Sequence, residues 1–429
     1  MTNVRWRIVV LLLIAMLINY IDRVNLSYVA PIFMRQFAIG PAEMGIVLSA
    51  FLWTYFLLQI PMGLATDRFG ARFLYGGAAL VWGGATMLTA AITGVGSLLC
   101  CRVLLGAGEA PMVPATTKTI GIWVADKERG LAAALANGVG IPLGVFISSP
   151  FIGWLIVDFG WQSVFLVTGL LAVLWAIVWV FYYRDPGKHP GANEAERQFL
   201  AEGIAKLRPD TLQRASWGQL LSNRNVLGLS LGHMALLFNL YFLLTWLPTY
   251  LIQQHHLTML NTGIYGSVPW LFGLLGVLAS GKGSDILISR GWPIIRARKV
   301  FMALGMVLAM ACLLSIFTTS IAATIGCLSL AVFGMQLTTS VVWATNADVA
   351  PLDQGGRVAS IQNCIGNLGG MLAPIVVGIL LQATGSWSAP MAAAAIVALA
   401  GACNYLFVLS DDAVFARSAA ARVPPVARG

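Results

Sequence analysis

Residues 8–27 read IVVLLLIAMLINYIDRVNLS. The first eleven are apolar without exception, and then Asp22 and Arg23 stand side by side before the apolar character resumes at Val24 and Leu26. An ionisable side chain at membrane depth costs several kcal/mol unless it faces protein or a water-filled cavity and finds a partner. The stretch therefore reads as a membrane-crossing helix with one face turned away from lipid. Charge buried in that way is also the first pointer to function.

The composition agrees. The chain has 429 residues, of which 58% are hydrophobic and 10% charged, and its mean hydropathy is +0.81. A soluble domain carries about a quarter charged residues, so this much apolar surface must face lipid. The net charge is +9. No run of Lys and Arg is interleaved with aromatics, so a nucleic-acid partner is not expected; the charge fits the Lys/Arg bias of cytoplasmic loops. Arg5 and Arg7 before the apolar run imitate a signal peptide, but no small-residue cleavage site closes it. A retained first helix is expected.

Windows long enough to cross a bilayer fall at 6–30, 44–65, 73–93, 97–119, 131–157, 162–183, 226–253, 262–288, 300–319, 322–347, 358–383 and 389–410. The polar stretch from Arg184 to Arg224 separates six spans from six. The expected fold is an all-α membrane protein of twelve transmembrane helices: a six-helix half over 1–183, a cytoplasmic loop over 184–224, a second half over 225–410 and a cytoplasmic tail over 411–429. With the N-terminus inside, Arg5, Arg7, Arg68, Arg72, Lys127, Arg129 and the Arg290–Lys299 loop all fall inside, and the outer loops keep essentially Arg35. That asymmetry supports both the count and the orientation, with both termini cytoplasmic.

The halves echo each other. GLATDRFGARF (63–73) follows the second span, and GKGSDILISRGWPIIRARK (281–299) follows the eighth. Both place Gly-x-x-x-Asp and then basic residues between the second and third spans of a half, the mark of many secondary transporters.

Few charges lie deep in the spans. The first has Asp22 and Arg23; the fourth, SLLCCRVLLGAGEAPMVPATTK, has Arg102 and Glu109, with Lys118 near its inner end. Arg102 and Glu109 share a helix stripe, about 10 Å apart along the axis, too far for a direct pair. Each has room for a substrate or for a residue of the first span. Gly106 and Gly108 let a neighbouring helix approach. An arginine can hold a carboxylate bidentately. A carboxyl caught between desolvation and a nearby cation can load a proton outside and release it inside. The chemistry suggested is proton-coupled entry of an anion, with one proton or more per negative charge to offset an inside-negative potential.

The second half offers polar and aromatic groups instead: Asn239, Tyr241, Thr245, Trp246 and Tyr250 in the seventh span, Ser340, Trp343 and Asn346 in the tenth, and Gln362, Asn363 and Asn367 in the eleventh. These suit a polyhydroxylated ligand, Trp246 included. They could equally bond neighbouring helices. The six cysteines are expected as buried free thiols, and the four histidines as solvated or structural. No nucleophile–base set, P-loop or metal spacing stands out, so an enzyme, a cofactor and a metal are not expected.

Several stretches together resemble the anion:cation symporter family of the major facilitator superfamily, closest to its bacterial sugar-acid transporters for galactonate, glucarate and hexuronates. They are NYIDRVNLS, EMGIVLSAFLWTYFLLQIPMGLATDRFG, RVLLGAGEAPMVPA, YFLLTWLPTYL, VVWATNADVAP and QNCIGNLGGMLAPIVVGILL. The resemblance implies proton carriage at Asp22 and Glu109 and a sugar-acid site lined by Tyr20, Arg23, Tyr55, Arg102, Ser340, Trp343 and Asn363. It also implies a loop signature at Gly63, Asp67, Arg68, Gly70 and Arg72 that works as the halves move. The expectation is a monomeric proton symporter of a small organic anion in a bacterial inner membrane. A facilitator-type exporter and a non-transporting sensor are the rivals. The fifth span, NGVGIPLGVFISSP, lacks a glutamine that some galactonate transporters place against substrate. Aromatic acids, tartrate-like diacids and phthalate therefore stay open beside sugar acids.

Overall fold

The computed structural model describes residues 2–205, 216–350 and 355–410; the expected tail over 411–429 and part of the 184–224 loop lie outside the described residues. Twelve helices are long and apolar enough to cross a membrane, as the hydropathy pattern predicts. In the first half of the chain they are α1 (Val4–Gln36), α2 (Pro41–Phe69), α3 (Ala71–Ala91), α4 (Val95–Trp123), α5 (Glu128–Phe159) and α6 (Trp161–Tyr182). A shorter helix, α7 (Glu194–Ala205), follows in the polar stretch. Then come α8 (Arg224–His255), α9 (Met259–Ser289), α10 (Ile294–Phe317), α11 (Ile321–Asn346), α12 (Gly356–Thr384) and α13 (Ser388–Val408). Many run past the predicted ends because helices continue beyond the apolar window. α1, at 33 residues, is about 50 Å long against a hydrocarbon core of about 30 Å. The fourth span is not one straight helix, as its hydropathy suggests: a turn at Ala110–Pro111 divides it, since proline supplies no N–H to the ladder.

The internal repeat is written in the backbone. Glycines with positive φ end α2 (Gly70, 80°), α5 (Gly160, 81°), α9 (Gly291, 88°) and α12 (Gly385, 64°). These are the second-to-third and fifth-to-sixth junctions of each half. A side chain there would be strained, so each tight reversal falls on glycine.

The chain forms two compact units. The first holds residues 1–208, 242–271 and 371–387; the second holds the rest, so α8, α9 and α12 each contribute to both. In the first unit α3 and α6 cross at Gly83 and Gly169, each close to the other's backbone carbonyl, and a Tyr75–Trp82–Trp175–Trp179 aromatic cluster packs alongside. Also within this unit, α2 meets α12 and α5 meets α9 backbone to backbone. A Cβ on Gly45 would lie 2.3 Å from the Pro374 oxygen, and one on Gly263 2.6 Å from the Ser149 oxygen. In the second unit α10 and α11 cross at Gly305 and Gly334. There Arg224 donates to the carbonyls of Phe407 (2.6 Å) and Val408 (2.8 Å), closing the end of α13.

Large apolar side chains such as Leu57, Leu64, Phe181, Phe317 and Phe407 point outward, as lipid-facing residues do. The cysteines are free, but not all buried as expected: Cys100 and Cys403 are exposed, on helix faces where lipid takes the place of protein. His189 is buried, edge-on to Trp123 at 5.5 Å.

The polar stretch contains a feature that charge counting misses. Glu196 of α7 is fully buried against the start of α1. Its carboxylate accepts from Thr2 Oγ1 (2.6 Å), from the main-chain N–H of Val4 (3.3 Å) and Arg5 (3.1 Å), and from Arg5 Nη1 (3.3 Å). Arg5 also pairs with Glu128 at the start of α5, at 2.8 Å. A carboxylate satisfying unpaired N–H groups at a helix N-terminus is favourable on both hydrogen-bond and dipole grounds. Burial pushes Glu196 up, but the hydrogen bonds from Thr2, Arg5 and Val4 outweigh it and hold the carboxyl below the usual range. A depressed carboxyl stabilises the fold above its unfolded value and stops doing so as pH falls through its folded value. Glu196→Gln is accordingly expected to speed amide exchange in α7 and the first turn of α1 about tenfold or more at neutral pH. Acid well below the ordinary carboxylate range should do the same to wild type; equal protection in the variant would dismiss the clasp.

Candidate functional site

In the middle of α1 the sequence places Asn19, Tyr20, Asp22, Arg23, Asn25 and Ser27 within three turns, and all six are buried. Arg23 meets α4: its Nε (3.1 Å) and Nη2 (2.9 Å) both donate to Glu109 Oε2. Three rings surround the guanidinium, with Tyr20 and Phe51 centred 5.2 Å and Tyr55 5.0 Å from its central carbon. A guanidinium is weakly hydrated and stacks on aromatic faces, so this sleeve holds it away from lipid. Glycines permit the approach: a Cβ on Gly106 of α4 would lie 2.0 Å from the Phe51 oxygen, and one on Gly144 of α5 2.9 Å from Tyr20 Cβ.

Arg102 lies about two turns before Glu109 on the same stripe of α4, buried, with its guanidinium carbon 5.9 Å from the Phe51 ring. Phe51 thus stands beside both arginines. Arg102 forms no ion pair among the described residues, and its Nε has no hydrogen-bond partner. Asp22 is buried; Oδ1 accepts from Asn25 Nδ2 at 3.2 Å, and Oδ2 has no partner. Glu109 Oε1 likewise has none. Of two buried acids and two buried cations, one pair is closed. A wholly neutralised set would be a structural network; this arrangement leaves a cation able to receive an anion.

The structure thus brings Tyr20, Arg23, Tyr55 and Glu109 together, with Arg102 alongside through Phe51. Trp246, on α8, is fully buried in the same unit; its indole N–H donates to the Pro374 carbonyl at 3.2 Å, and its ring meets Trp387 edge-on. Ser340, Trp343 and Asn363 belong to the second unit. There Ser340 and Asn363 are half-buried, and Trp343 is exposed on one face with its ring edge-on to buried His233 at 5.7 Å. Asn346 and Gln362 are hydrogen-bonded to each other.

The loop signature has its own geometry. Gly63, Asp67 and Arg68 lie on α2, Gly70 turns the chain, and Arg72 on α3 donates to the Val180 carbonyl at 2.9 Å. Lys118 of α4 reaches the α2 end, donating to the Thr66 carbonyl (2.8 Å) and standing 3.4 Å from the Asp67 carboxylate. A cation at a helix C-terminus favours that end.

Sequence reasoning passed over Phe51, one phenylalanine among twenty, and Thr168, whose tie to α1 crosses 143 positions. Asn25 could have been found: it lies three residues after Asp22, on the same helix face.

Known proteins match nearly the whole chain. A probable galactarate/D-glucarate transporter, GudP, of Bacillus subtilis (strain 168) is 33% identical over 422 residues, covering 95% of this chain and 92% of its own. The D-galactonate transporter of Escherichia coli O6:H1 is 33% identical over 417 residues, covering 95% and 96%. A probable L-galactonate transporter of Escherichia coli (strain K12) is 30% identical over 401 residues, covering 93% and 88%. Among solved structures, a bacterial homolog of the human lysosomal transporter Spinster, inward-facing and occupied, superposes with a TM-score of 0.71 at 18% identity, covering 98% of this chain and 97% of that one; this speaks to the fold alone. The sequence profile of the Major Facilitator Superfamily matches residues 12–374 and 291–426. With twelve membrane-length helices, an unneutralised set of buried charges and these relatives, the chain belongs to the Major Facilitator Superfamily and is a multi-pass membrane transporter rather than an enzyme.

Proposed function

We propose that this protein is a proton-coupled symporter that imports a sugar acid, a hexonate, hexuronate or aldarate, by alternating access. It works as a monomer in a bacterial inner membrane, with both termini in the cytoplasm. The observation that carries the reading is the closed Arg23–Glu109 pair in its aromatic sleeve beside an arginine, Arg102, that forms no ion pair among the described residues. The names of the relatives support the substrate class.

The chemistry follows from charge balance. A proton on Glu109 removes the charge that holds Arg23. The carboxylate of the incoming anion then takes the place of Glu109 on Arg23, or sits on Arg102, where a guanidinium offers paired N–H donors. Asp22 is a second acid within the same electrostatic reach. Two acids allow up to two protons per cycle, enough to offset a dianion against an inside-negative potential of about 2.3 kcal/mol per charge per 100 mV. The polar side chains Ser340, Trp343, Asn363 and Trp246 would meet the hydroxyl groups. Gly63, Asp67, Arg68, Gly70 and Arg72 would act at the cytoplasmic turn during the change of state.

The test is uptake of labelled D-glucarate, galactarate and D-galactonate by purified protein in liposomes, with and without an inward proton gradient. Accumulation of one of them that collapses with a protonophore is the expected result. Binding without any counterflow would favour a sensor, and outward-only movement an exporter.

A further inference from the structure

Two residues outside the arginine site are tied to Asp22 in one direction. Thr168 on α6 donates its hydroxyl to the Val164 carbonyl at 2.8 Å, so it meets Asn25 as an acceptor. The Asn25 amide nitrogen donates one N–H to Thr168 Oγ1 at 2.6 Å and the other to Asp22 Oδ1 at 3.2 Å. All three side chains are buried to within 1%. We propose that Thr168 and Asn25 are positioning residues for the proton step: they fix an N–H, not a carbonyl oxygen, against Asp22 Oδ1 and so assign the transported proton to Oδ2. This rests on the reading of Asp22 as a proton carrier.

The argument is one of donor and acceptor supply. A side-chain amide can present either end to a neighbour, and nothing but its partners decides which. Thr168, with its own proton committed to the helix backbone, leaves only the NH₂ end compatible with both contacts. An N–H facing Oδ1 supports the carboxylate and leaves Oδ2, which has no partner, as the oxygen to be protonated. Without the hydroxyl the amide can turn and offer its oxygen, which suits a protonated Asp22. Other groups act on Asp22 as well: Glu109 and Arg102 on α4 bear charge, the Thr168 hydroxyl lies close while its proton goes to the Val164 carbonyl, and the Trp82 indole of α3 lies close without forming a hydrogen bond. No charged group reaches it from α6. The α6 contribution is therefore the neutral, directional one.

Infrared difference titration of the purified full-length chain tests this without a substrate. The carboxyl C=O band that disappears in Asp22→Asn reports Asp22 directly. Thr168→Val, nearly the same shape, is expected to move the pH midpoint of that band upward by about one unit, a tenfold change in proton affinity, and Thr168→Ser to restore it. Asn25→Leu, which removes the donor itself, should move it in the same sense and serves if the valine variant does not fold. A wild-type midpoint in the folded Thr168→Val or Asn25→Leu protein overturns the positioning role and leaves Asp22 as carrier. If Asp22→Asn removes no titrating band, the proton-carrier reading fails first, and this inference with it.

Discussion

Glu109→Gln is expected to exchange labelled sugar acid across a liposome membrane at close to the wild-type rate and to lose accumulation driven by a proton gradient altogether. Glutamine keeps the shape of Glu109 and an oxygen that can still accept from Arg23, but it cannot take up or release a proton. It imitates the protonated acid permanently. Arg23, now facing a neutral acceptor instead of the carboxylate 2.9 Å away, is as available to an anion as it becomes in wild type after protonation. Binding should therefore lose the part of its pH dependence that Glu109 sets. The measurement is a pair of assays on one preparation, counterflow at equal pH and uptake with an acidic exterior. Concentrative uptake equal to wild type would show that Glu109 is not the coupling acid. The two acids are separable: if Asp22 carries a second proton, Asp22→Asn should lower the proton-to-substrate ratio rather than reproduce the glutamine phenotype.

Arg102→Ala is expected to weaken sugar-acid binding by at least about two decades in Kd, equivalent to about 3 kcal/mol. Arg102 is buried and forms no ion pair among the described residues, so in the proposed cycle its charge is the counterpart of the substrate carboxylate. Lysine should rescue poorly, because a point charge lacks the planar pair of donors and stacks less well beside Phe51. The alanine chain should nevertheless fold, since removing an unpaired buried cation relieves a desolvation cost. Isothermal titration in detergent against the acid found in the uptake screen gives the number. An affinity within about threefold of wild type would place the anion on Arg23 alone.

How much of this was legible beforehand depends on the range over which each feature is determined. The twelve spans are set by local composition, and the structure returns all of them. Helix ends were harder, because a helix such as α1 runs on past its apolar window to Gln36, through Pro31 and Arg35. The spacing of Arg102 and Glu109 said that they could not pair with each other, which holds; that Glu109 would choose Arg23, 86 positions away, followed only from helix packing. Gly70 was visible within the loop signature, whereas Gly160, Gly291 and Gly385 emerged from their φ angles. Thr168 and Phe51 sit in apolar runs where nothing in the local residues singles them out. The 184–224 stretch reads as a loop because it is charged, yet part of that charge, Glu196, is fully buried.

The position of Glu196 bears on how the protein is made. The partner that completes the start of the first helix is encoded 191 residues after Arg5. A nascent chain emerging N-terminus first therefore threads its first four hydrophobic segments before Glu128 can reach Arg5, and its first six before Glu196 can. Only when the ribosome has delivered α7 does that charge, already met by Glu128 of α5, acquire its second carboxylate and the helix its last hydrogen bonds. A residue that enters the membrane machinery unpaired is afterwards retired into a lock.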